Sequence, residues 1–328
     1  MTTQDPLKVV ELIEACYRLE APEKEWLHGI TDAAAPLLDR GKGVAAYLFD
    51  LRGSNGFQVL DGSFPEGIDL AGMRGFLSSV PVDFVKSVWL GTRCGYVSES
   101  DGFENMAPVL ESACHAADVV ALKGRDPTGF GIWLGTLLPK VSAATDTENA
   151  VFDRIATHLA ASYRARRALG GAPLSLDESD AILTPDGHVE HARGEAENTE
   201  SRNLLREATI GFDKAKTAAG RADPARALEL WQGLVDARWS LIDHFDHDGR
   251  HYVVARRNDV KIEGLSDLSE RERQVVAYAA LGHDNKVVAY DLGLADSTVR
   301  VLLHRAAAKL NVKGREELIE LFKKANGD

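Results

Sequence analysis

Apolar and polar residues are arranged along the chain with two different periods, which predict a mixture of helices and strands. The first 170 residues show both periods in alternation. Helical spacing occurs in residues 7–20, 22–39, 70–89, 104–115 and 147–169. Strand-like apolar runs occupy residues 44–49, 57–60, 118–122 and 131–138. This part of the chain is therefore expected to form an α/β domain.

Residues 171–260 contain two hairpin signals separated by a helical stretch. A Pro-Asp-Gly turn at residues 185–187 lies between two short runs, and an Asp-Gly pair at residues 248–249 separates residues 239–245 from residues 251–256. Such turns favour hairpins. Gly-, Pro- and Ser-rich residues 170–180 and polar residues 258–267 are expected to be linkers. We predict a small α+β module between them.

The last segment, residues 261–328, has the clearest helical pattern. Ser269 and Glu272 are spaced as a capping box at the start of a helix that Gly282 would end. Asp284 is a suitable N-cap for a second helix, which runs to Leu292 and is followed by a Gly-Leu-Ala turn. We therefore predict two short helices joined by a three-residue turn.

A longer third helix, residues 297–310, is apolar on one side and basic on the other. The apolar positions are Val299, Leu302, Leu303, Ala306 and Leu310. Arg300, Arg305 and Lys309 are left for the outer side. Two helices joined by a tight turn, the second with a basic outer side, are what a protein needs to contact the DNA major groove.

The distribution of charge agrees with a local nucleic-acid interface. The net charge is −12, but residues 266–328 contain ten Lys or Arg and ten Asp or Glu, so the excess acid lies in the first 265 residues. Residues 297–313 hold four basic residues and no acidic one. A basic element on an acidic protein attracts phosphate locally.

Composition indicates the general class of protein. The chain has 328 residues, 45% hydrophobic and 27% charged, which is typical of two or three globular domains. We find no apolar run of membrane-spanning length and no export signal. The three cysteines form no Cys-x-x-Cys pair. A cytoplasmic protein that does not enter the membrane is expected.

Residues 268–321 resemble the DNA-binding domain of the LuxR/GerE family. The matching positions are Arg271-Glu272, Gly282, Asn285-Lys286, Ala289, Leu292-Gly293-Leu294, Thr298-Val299-Arg300, Lys309-Leu310 and Arg315. The matches run without a gap at the family's spacing. The resemblance implies a four-helix bundle whose third helix enters the major groove.

The resemblance also implies a role for each DNA-binding residue. Asn285 and Lys286 would hold the DNA backbone at the second helix. The third helix would contribute Ser297, Thr298, Arg300, Val301, His304, Arg305 and Lys309. Of these, Thr298 would anchor to a phosphate, Arg300, Val301 and His304 would reach base edges, and Arg305 and Lys309 would add phosphate contacts. Arg can bind guanine in a bidentate manner and Val can contact a thymine methyl, whereas Lys and hydroxyl groups fix the register.

Four positions depart from the family pattern. Asp284 replaces the usual Ser before the second helix, and Val287 and Leu302 replace a Glu and a His. Ala295 stands where a capping residue is usual, so Asp296 is expected to cap the third helix instead. These departures leave the fold in place and bear on how the domain would meet DNA.

The two preceding segments resemble sensor domains by the order of their elements alone. Residues 1–170 resemble a GAF domain, and residues 171–260 resemble a reduced PAS module, with a family-specific spacer of the same shape as the alternative. The expected fold class is α+β multidomain: a GAF-like α/β sensor, a small PAS-like α+β module and an all-α four-helix LuxR-type helix-turn-helix at residues 261–328.

We thus predict a sequence-specific DNA-binding transcription regulator whose N-terminal domains sense an unknown signal. Its partners would be double-stranded DNA, a second copy of the chain, RNA polymerase as a candidate, and a small-molecule or protein signal. The homodimer is expected because the final helix offers Leu318, Ile319, Leu321 and Phe322, more apolar surface than a small domain covers. The alternative is a protein-interaction adaptor whose tail no longer binds DNA, favoured by Asp284 and the acidic bulk.

The sequence contains no pattern that indicates catalysis or a metal. It has no P-loop, no nucleophile elbow and no dinucleotide-binding loop. His244, Asp246, His247, Asp248 and His251 form a polar cluster, but strand alternation places His244 and His247 on opposite faces. A response regulator would require repeated βα units that the first segment lacks. We therefore predict no enzyme, no cofactor and no metal.

Overall fold

The computed structural model divides the chain into two compact units, Met1–Tyr163 and Arg164–Asp328. It describes residues 5–52, 57–80, 84, 88, 94–170, 176–231, 233–245, 249–257 and 265–326. The predicted linkers therefore lie partly outside the described residues. Residues of the predicted second and third segments belong to one unit, and the three-domain boundaries stay a prediction.

The first unit is built on a five-stranded antiparallel sheet with helices before, between and after its strands. The strands are β1 (Ala45–Asp50), β2 (Gln58–Ser63), β3 (Cys94–Tyr96), β4 (Asp118–Arg125) and β5 (Phe130–Leu138). Their order in the sheet is β2-β1-β5-β4-β3. The helices are α1 (Pro6–Cys16), α2 (Glu23–Leu38), α3 (Leu70–Ser79), α4 (Phe103–Cys114) and α5 (Asp146–Leu169), and α5 contains the division between the units.

The helix predicted over residues 70–89 is interrupted after Ser79. Val80 has an extended conformation with a ψ of 135° and ends α3. Residue 81 is a proline, and a proline disfavours the helical conformation of the residue before it. Of the rest of the predicted helix, only Phe84 and Val88 lie within the described part of the chain, and both are helical, as predicted. The strand β3 was not predicted, because three residues are too few to show an alternation.

Both faces of this sheet are buried. On one face α5 lies so close to β4 that a side chain at Gly124 would collide with Leu159 and with the backbone at Ala160. On the other face Tyr47 and Trp133 stack with their ring centroids 4.9 Å apart. Leu77, Met106 and Leu110 of α3 and α4 belong to the same apolar cluster as these rings.

The second unit contains a four-stranded antiparallel sheet followed by a helical domain. The strands are β6 (Ala181–Leu183), β7 (Val189–Ala192), β8 (Trp239–Phe245) and β9 (His251–Arg257), in the order β7-β6-β9-β8. The helices are α6 (Thr199–Lys216), α7 (Ala218–Arg221), α8 (Pro224–Leu230), α9 (Glu270–Ala280), α10 (Asn285–Leu292), α11 (Asp296–Lys309) and α12 (Arg315–Asn326). A mixed α/β fold with two antiparallel sheets and a C-terminal helical domain is thus confirmed.

The first predicted hairpin is confirmed by the pairing of β6 with β7. Thr184 N donates to the carbonyl of His188, and Gly187 has a positive φ of 84°, which favours glycine. The strands β8 and β9 also pair antiparallel, as expected. Residues 246–248 of the connecting turn lie outside the described residues.

The core of the helical domain extends beyond α9–α12. Leu234 and Ala237, which lie between α8 and β8, are buried in the same cluster as Val275, Val288 and Leu303. Tyr290 of α10 places its hydroxyl 2.9 Å from the carbonyl oxygens of Leu228 and of Trp231. The helical domain is therefore packed against the segment that precedes β8.

A helix must be both long and apolar to cross a lipid bilayer. Among the residues that the structure describes, no helix is both long enough and apolar enough to cross a membrane.

Candidate nucleic-acid interface

The first turn of α9 is fixed by the predicted capping box. Ser269 Oγ accepts from Glu272 N, and Ser269 N donates to the Glu272 carboxylate over 2.7 Å. The helix ends at Ala280, and Gly282 has a φ of 90°. Both the start and the stop expected from the sequence are confirmed.

The scaffold helix α10 is capped as expected. Asp284 Oδ1 accepts from Val287 N over 2.8 Å. Its C-cap is Gly293, whose φ of 62° lies in the left-handed region, and Leu294 N donates to Ala289 O over 2.9 Å. A negatively charged cap thus stands at the exposed start of this helix, where the positive end of the helix dipole stabilises it.

The expected cap of α11 is wrong. Asp296 is the first helical residue, and Ala295 is the N-cap, without a side-chain hydrogen bond. The carboxylate of Asp296 instead pairs with Arg300 one turn later, at 2.6 Å. Residues four apart lie next to each other on a helix, and Arg300 lies within reach on the same side.

The two sides of α11 separate as the sequence predicts. Val299, Leu302, Leu303, Ala306 and Ala307 are buried, and Leu310 packs against them. The opposite side is exposed and consists of Ser297, Arg300, Val301, His304 and Arg305. We call these five residues the outer face of α11. They are three or four positions apart and therefore form one stripe.

The outer face combines cationic, apolar and hydrogen-bonding groups. The Arg300 side chain is 67% exposed despite its pairing with Asp296. Val301 is 47% exposed and gives the outer face an apolar group. Base edges in the major groove offer acceptors, donors and thymine methyl groups, which side chains of these types are able to contact.

The predicted phosphate-binding residues differ in their surroundings. Lys286 is exposed, and Thr298 is half-buried. Asn285 is half-buried, and its Oδ1 accepts from Arg315, which also donates to the His283 carbonyl. Arg315 therefore holds the start of α10 in place from α12.

Lys309 takes part in a contact that the sequence did not predict. Its ammonium group lies 2.7 Å from the carboxylate of Glu272, the partner of the capping box. Glu272 is buried, whereas the Lys309 side chain is 45% exposed. Burial would raise the pKa of Glu272, but hydrogen bonds from Lys309 and Ser269 outweigh it and leave the pKa below its ordinary value. Lys309 thus joins α11 to the start of α9.

We expect Lys309→Met to lower the free energy of unfolding by about 1 kcal/mol at pH 7, the upper range for a partly exposed ion pair. A group with a lowered folded pKa contributes stability above its unfolded pKa and loses it as the pH falls through the folded pKa. The difference between wild type and variant should therefore vanish in acid. Urea denaturation at pH 7 and at about pH 3 measures it. An equal difference at both values would contradict the role of Glu272.

A buried contact between a histidine and a carboxylate was also missed from the sequence. His283 Nδ1 and Asp291 Oδ2 lie 2.7 Å apart, and both side chains are almost fully buried. The pair joins the turn before α10 to the last turn of that helix. Neither residue stands out in the hydrophobic pattern, because a buried pair looks like two ordinary polar positions in a sequence.

The start of the second unit also contacts the helical domain. Arg164 Nη1 donates to the hydroxyl of Tyr278 over 2.6 Å, and both residues are buried. Asp236 forms an ion pair with Arg271 at the start of α9. These contacts connect residues far apart in the chain, so no local pattern could predict them.

The polar cluster near β8 and β9 shows no metal site among the residues that the structure describes. His251 Nε2 lies 2.9 Å from Asp243 Oδ1, and Lys216 contacts the same carboxylate. Residues 246–248 of the predicted cluster lie outside the described part. No group of three or more His, Cys, Asp or Glu that could hold a metal occurs within the described part of the chain.

Comparison with known proteins places the helical domain in a family. Residues 266–322 match the model of the bacterial regulatory proteins of the luxR family. The chain therefore carries a LuxR-family helix-turn-helix domain at its C-terminus, as the resemblance indicated. That family comprises transcription regulators and not enzymes, in agreement with our expectation.

Two named relatives match parts of the chain. The HTH-type transcriptional regulator MalT of Vibrio parahaemolyticus is 29% identical over 120 residues, 35% of this chain and 13% of MalT. The transcriptional regulatory protein FixJ of Rhizobium meliloti is 34% identical over 86 residues, 25% of this chain and 42% of FixJ. The chain thus spans less than half the length of either relative.

A solved structure also aligns with the chain. The crystal structure of Escherichia coli SdiA aligns over 94% of both chains at 12% sequence identity, with a TM-score of 0.28. That TM-score is too low to support a shared overall fold.

Proposed function

We propose that this chain, which carries a LuxR-family helix-turn-helix domain, is a sequence-specific DNA-binding transcription regulator. The observation that supports the proposal most is the outer face of α11. It lies on the second helix of the motif and is exposed, basic and partly apolar. The second helix of such motifs lies in the major groove.

Arg300 is the residue that we propose to read a base. Its pairing with Asp296 is largely exposed, and such pairs contribute about 0–1 kcal/mol. A bidentate contact with guanine contributes about 1–3 kcal/mol of discrimination. The guanine contact is therefore the stronger of the two. On binding DNA, Arg300 would break its ion pair with Asp296 and form hydrogen bonds with the base. Val301 and His304 would contact neighbouring positions.

Five further residues are proposed to hold the DNA backbone. They are Asn285, Lys286, Thr298, Arg305 and Lys309, with Ser297 beside them. Lys309 would share its ammonium group between Glu272 and a phosphate. Such contacts fix the position of the domain on DNA without distinguishing sequences.

We further propose that the chain binds DNA as a homodimer, but not for the reason drawn from the sequence. Leu318 and Phe322 are buried in the core of their own domain, and Ile319 packs against it. Leu318 and Phe322 are therefore not available to a partner, and only Ile319 and Leu321, both half-buried, remain of the four residues on which that argument rested. The proposal rests on the two-fold arrangement by which such motifs occupy paired half-sites.

The first unit and the module of β6–β9 are proposed to receive the signal, as GAF-like and PAS-like domains. A ligand that favours one arrangement would shift the population of DNA-competent molecules. Support comes from the second unit, where the hydroxyl of Tyr290 connects α10 with the carbonyls of Leu228 and Trp231. A rearrangement of that segment would reach the scaffold helix. RNA polymerase is the candidate partner of the bound form.

Selection of duplexes from a random pool by the full-length chain tests this function. A regulator of this kind should enrich one motif made of two inverted half-sites. Enrichment of a single half-site would support sequence-specific DNA binding and contradict the proposed homodimer. Failure to enrich any sequence would reject sequence-specific binding.

A protein-interaction adaptor remains the alternative function. Two observations favour it. The carboxylate of Asp284 lies at the exposed start of α10, and the carboxylate of Asp296 forms an ion pair with Arg300. An adaptor would bind neither random nor selected duplex DNA.

A further inference from the structure

The first unit contains an apolar cavity between its sheet and the helices α3 and α4. The volume of the cavity is about 330 Å³. It is lined from the sheet by Tyr47 and Trp133, and from the helices by Met73 and Met106 among others. Ile68, a large apolar residue that is 40% exposed, also lines it and marks its mouth.

Aromatic rings form one wall of the cavity. Tyr47 of β1 and Trp133 of β5 are cross-strand partners, and their rings stack with an interplanar angle of 10°. Phe76 of α3 lines the cavity from the helical side. A planar ligand between these elements would meet aromatic rings and thioether side chains, both of which favour aromatic contacts.

The polar groups of the lining provide few partners for a charged ligand. Thr136 donates its hydroxyl proton to the Gly43 carbonyl over 2.6 Å. Lys42 and Asp69 are exposed, and Asp69 Oδ1 already accepts from Gly72 N as the cap of α3. Among the described lining residues, therefore, no charged side chain is buried in the cavity.

Lys123 lies close by but does not line the cavity. It is the cross-strand partner of Trp133, so it points to the same face of the sheet. Its ammonium group donates to the carbonyl of Val88. Since an ion that leaves water without a partner loses a large hydration free energy, the cavity selects against charge.

The volume limits the size of the ligand. A cavity of about 150 Å³ lined by apolar residues holds one benzene molecule. At about 330 Å³ the present cavity has room for roughly twice that volume, which lies at the small end of small-molecule sites. Two rings, fused or linked, fit this limit.

We propose that this cavity binds an uncharged aromatic small molecule of about two rings. Its role as the signal that controls DNA binding rests on the function proposed above, whereas the binding itself does not. The ligand enters past Ile68, lies against the rings of Tyr47 and Trp133, and displaces water from apolar surface, which drives binding.

Two fluorescent probes that differ by one charge test the proposal on the full-length chain. 1-Naphthylamine, which has two fused rings, is uncharged at neutral pH, and its 5-sulfonate carries one negative charge. We expect the uncharged probe to bind at one site per chain, to quench tryptophan emission, and to bind at least tenfold more tightly than the sulfonate. Met73→Trp, which fills the cavity, should weaken the uncharged probe at least tenfold.

Two control variants accompany the test. Met73→Leu keeps the size and polarity of the side chain, and Val141→Trp adds an indole at an exposed position that does not line the cavity. Both should bind the uncharged probe within threefold of wild type. Circular dichroism verifies that each variant is folded, and if Met73→Trp is not, the comparison of the two probes on wild type decides.

The outcomes that overturn the proposal are well separated. No binding of the uncharged probe would overturn it, as would equal binding of both probes. Equal loss of binding in Val141→Trp and Met73→Trp would also overturn it, because the probe would then sit outside the cavity. Duplex binding is measured on the same wild-type sample. Probe binding without duplex binding would reject the proposed function alone. Duplex binding without probe binding would reject the proposed ligand site alone.

Discussion

Replacing Arg300 with alanine should weaken binding to the selected duplex by about 1–3 kcal/mol, roughly 5- to 150-fold, and should relax the preference at one base pair. The loss follows from the two hydrogen bonds that a guanidinium makes with guanine. The measurement is a binding titration of wild type and variant against the selected site and its single-base variants.

Arg305→Ala is the matched control for Arg300→Ala. Arg305 lies on the same outer face but is assigned to phosphate, so its loss should weaken all sequences about equally and lower the salt slope by roughly one unit. If Arg300→Ala shows this pattern instead, Arg300 is a phosphate contact. Sequence preference would then depend on Val301, His304 or the shape of the DNA.

Leu234→Ala should destabilise the helical domain by about 2–4 kcal/mol, although residue 234 lies outside the matched family region. Leu234 is only 1% exposed and belongs to the core of α9–α12. Its truncation leaves a cavity there. Urea denaturation followed by far-ultraviolet circular dichroism measures the loss, with Leu321→Ala, at a half-buried position of α12, as a control of smaller effect.

Fragments of the chain provide a second test of whether Leu234 and Ala237 stabilise the core of α9–α12. Residues 262–328 were expected from the sequence to fold as an independent helical domain, and this stays a prediction. Because that fragment lacks Leu234 and Ala237, we expect it to melt at a lower temperature than residues 223–328. Equal melting temperatures, together with a small effect of Leu234→Ala, would show that the preceding segment does not stabilise the domain.

Features that depend on neighbouring residues could be predicted from the sequence. The capping box of Ser269 and Glu272, the cap at Asp284 and the turn at Gly293 each use residues at most five positions apart. The inward and outward sides of α11 follow from a single period. The exposed residues of the candidate interface therefore follow from the amino-acid sequence alone.

Features that depend on long-range contacts could not be predicted. The Lys309–Glu272 pair and the burial of Leu234 join positions more than thirty residues apart. The prediction that Asp296 caps α11 failed for a different reason. Its carboxylate can either cap the helix or form an ion pair with a neighbouring side chain, and it cannot do both. The residue was expected to cap α11, but its neighbour Arg300 binds it instead.

The cavity of the first unit was likewise invisible in the sequence. Its lining comes from β1, α3, α4 and β5, and each segment shows only an ordinary apolar pattern. The helix α3, which contributes to the lining, ends before Val80, and the adjacent Pro81 is a local signal that the prediction of one helix over residues 70–89 did not use.

The affinity of the full-length chain for a mixed-sequence duplex, measured at a series of salt concentrations, tests the central claim most directly. Binding through basic side chains releases counterions, so the logarithm of the affinity should fall linearly with the logarithm of the salt concentration, with a slope of about −0.9 per phosphate contact. We expect a slope of roughly −3 to −5 for one domain with the proposed contacts. A folded chain that binds no duplex at about 50 mM salt, or binds it with no salt dependence, would contradict the account and favour the adaptor.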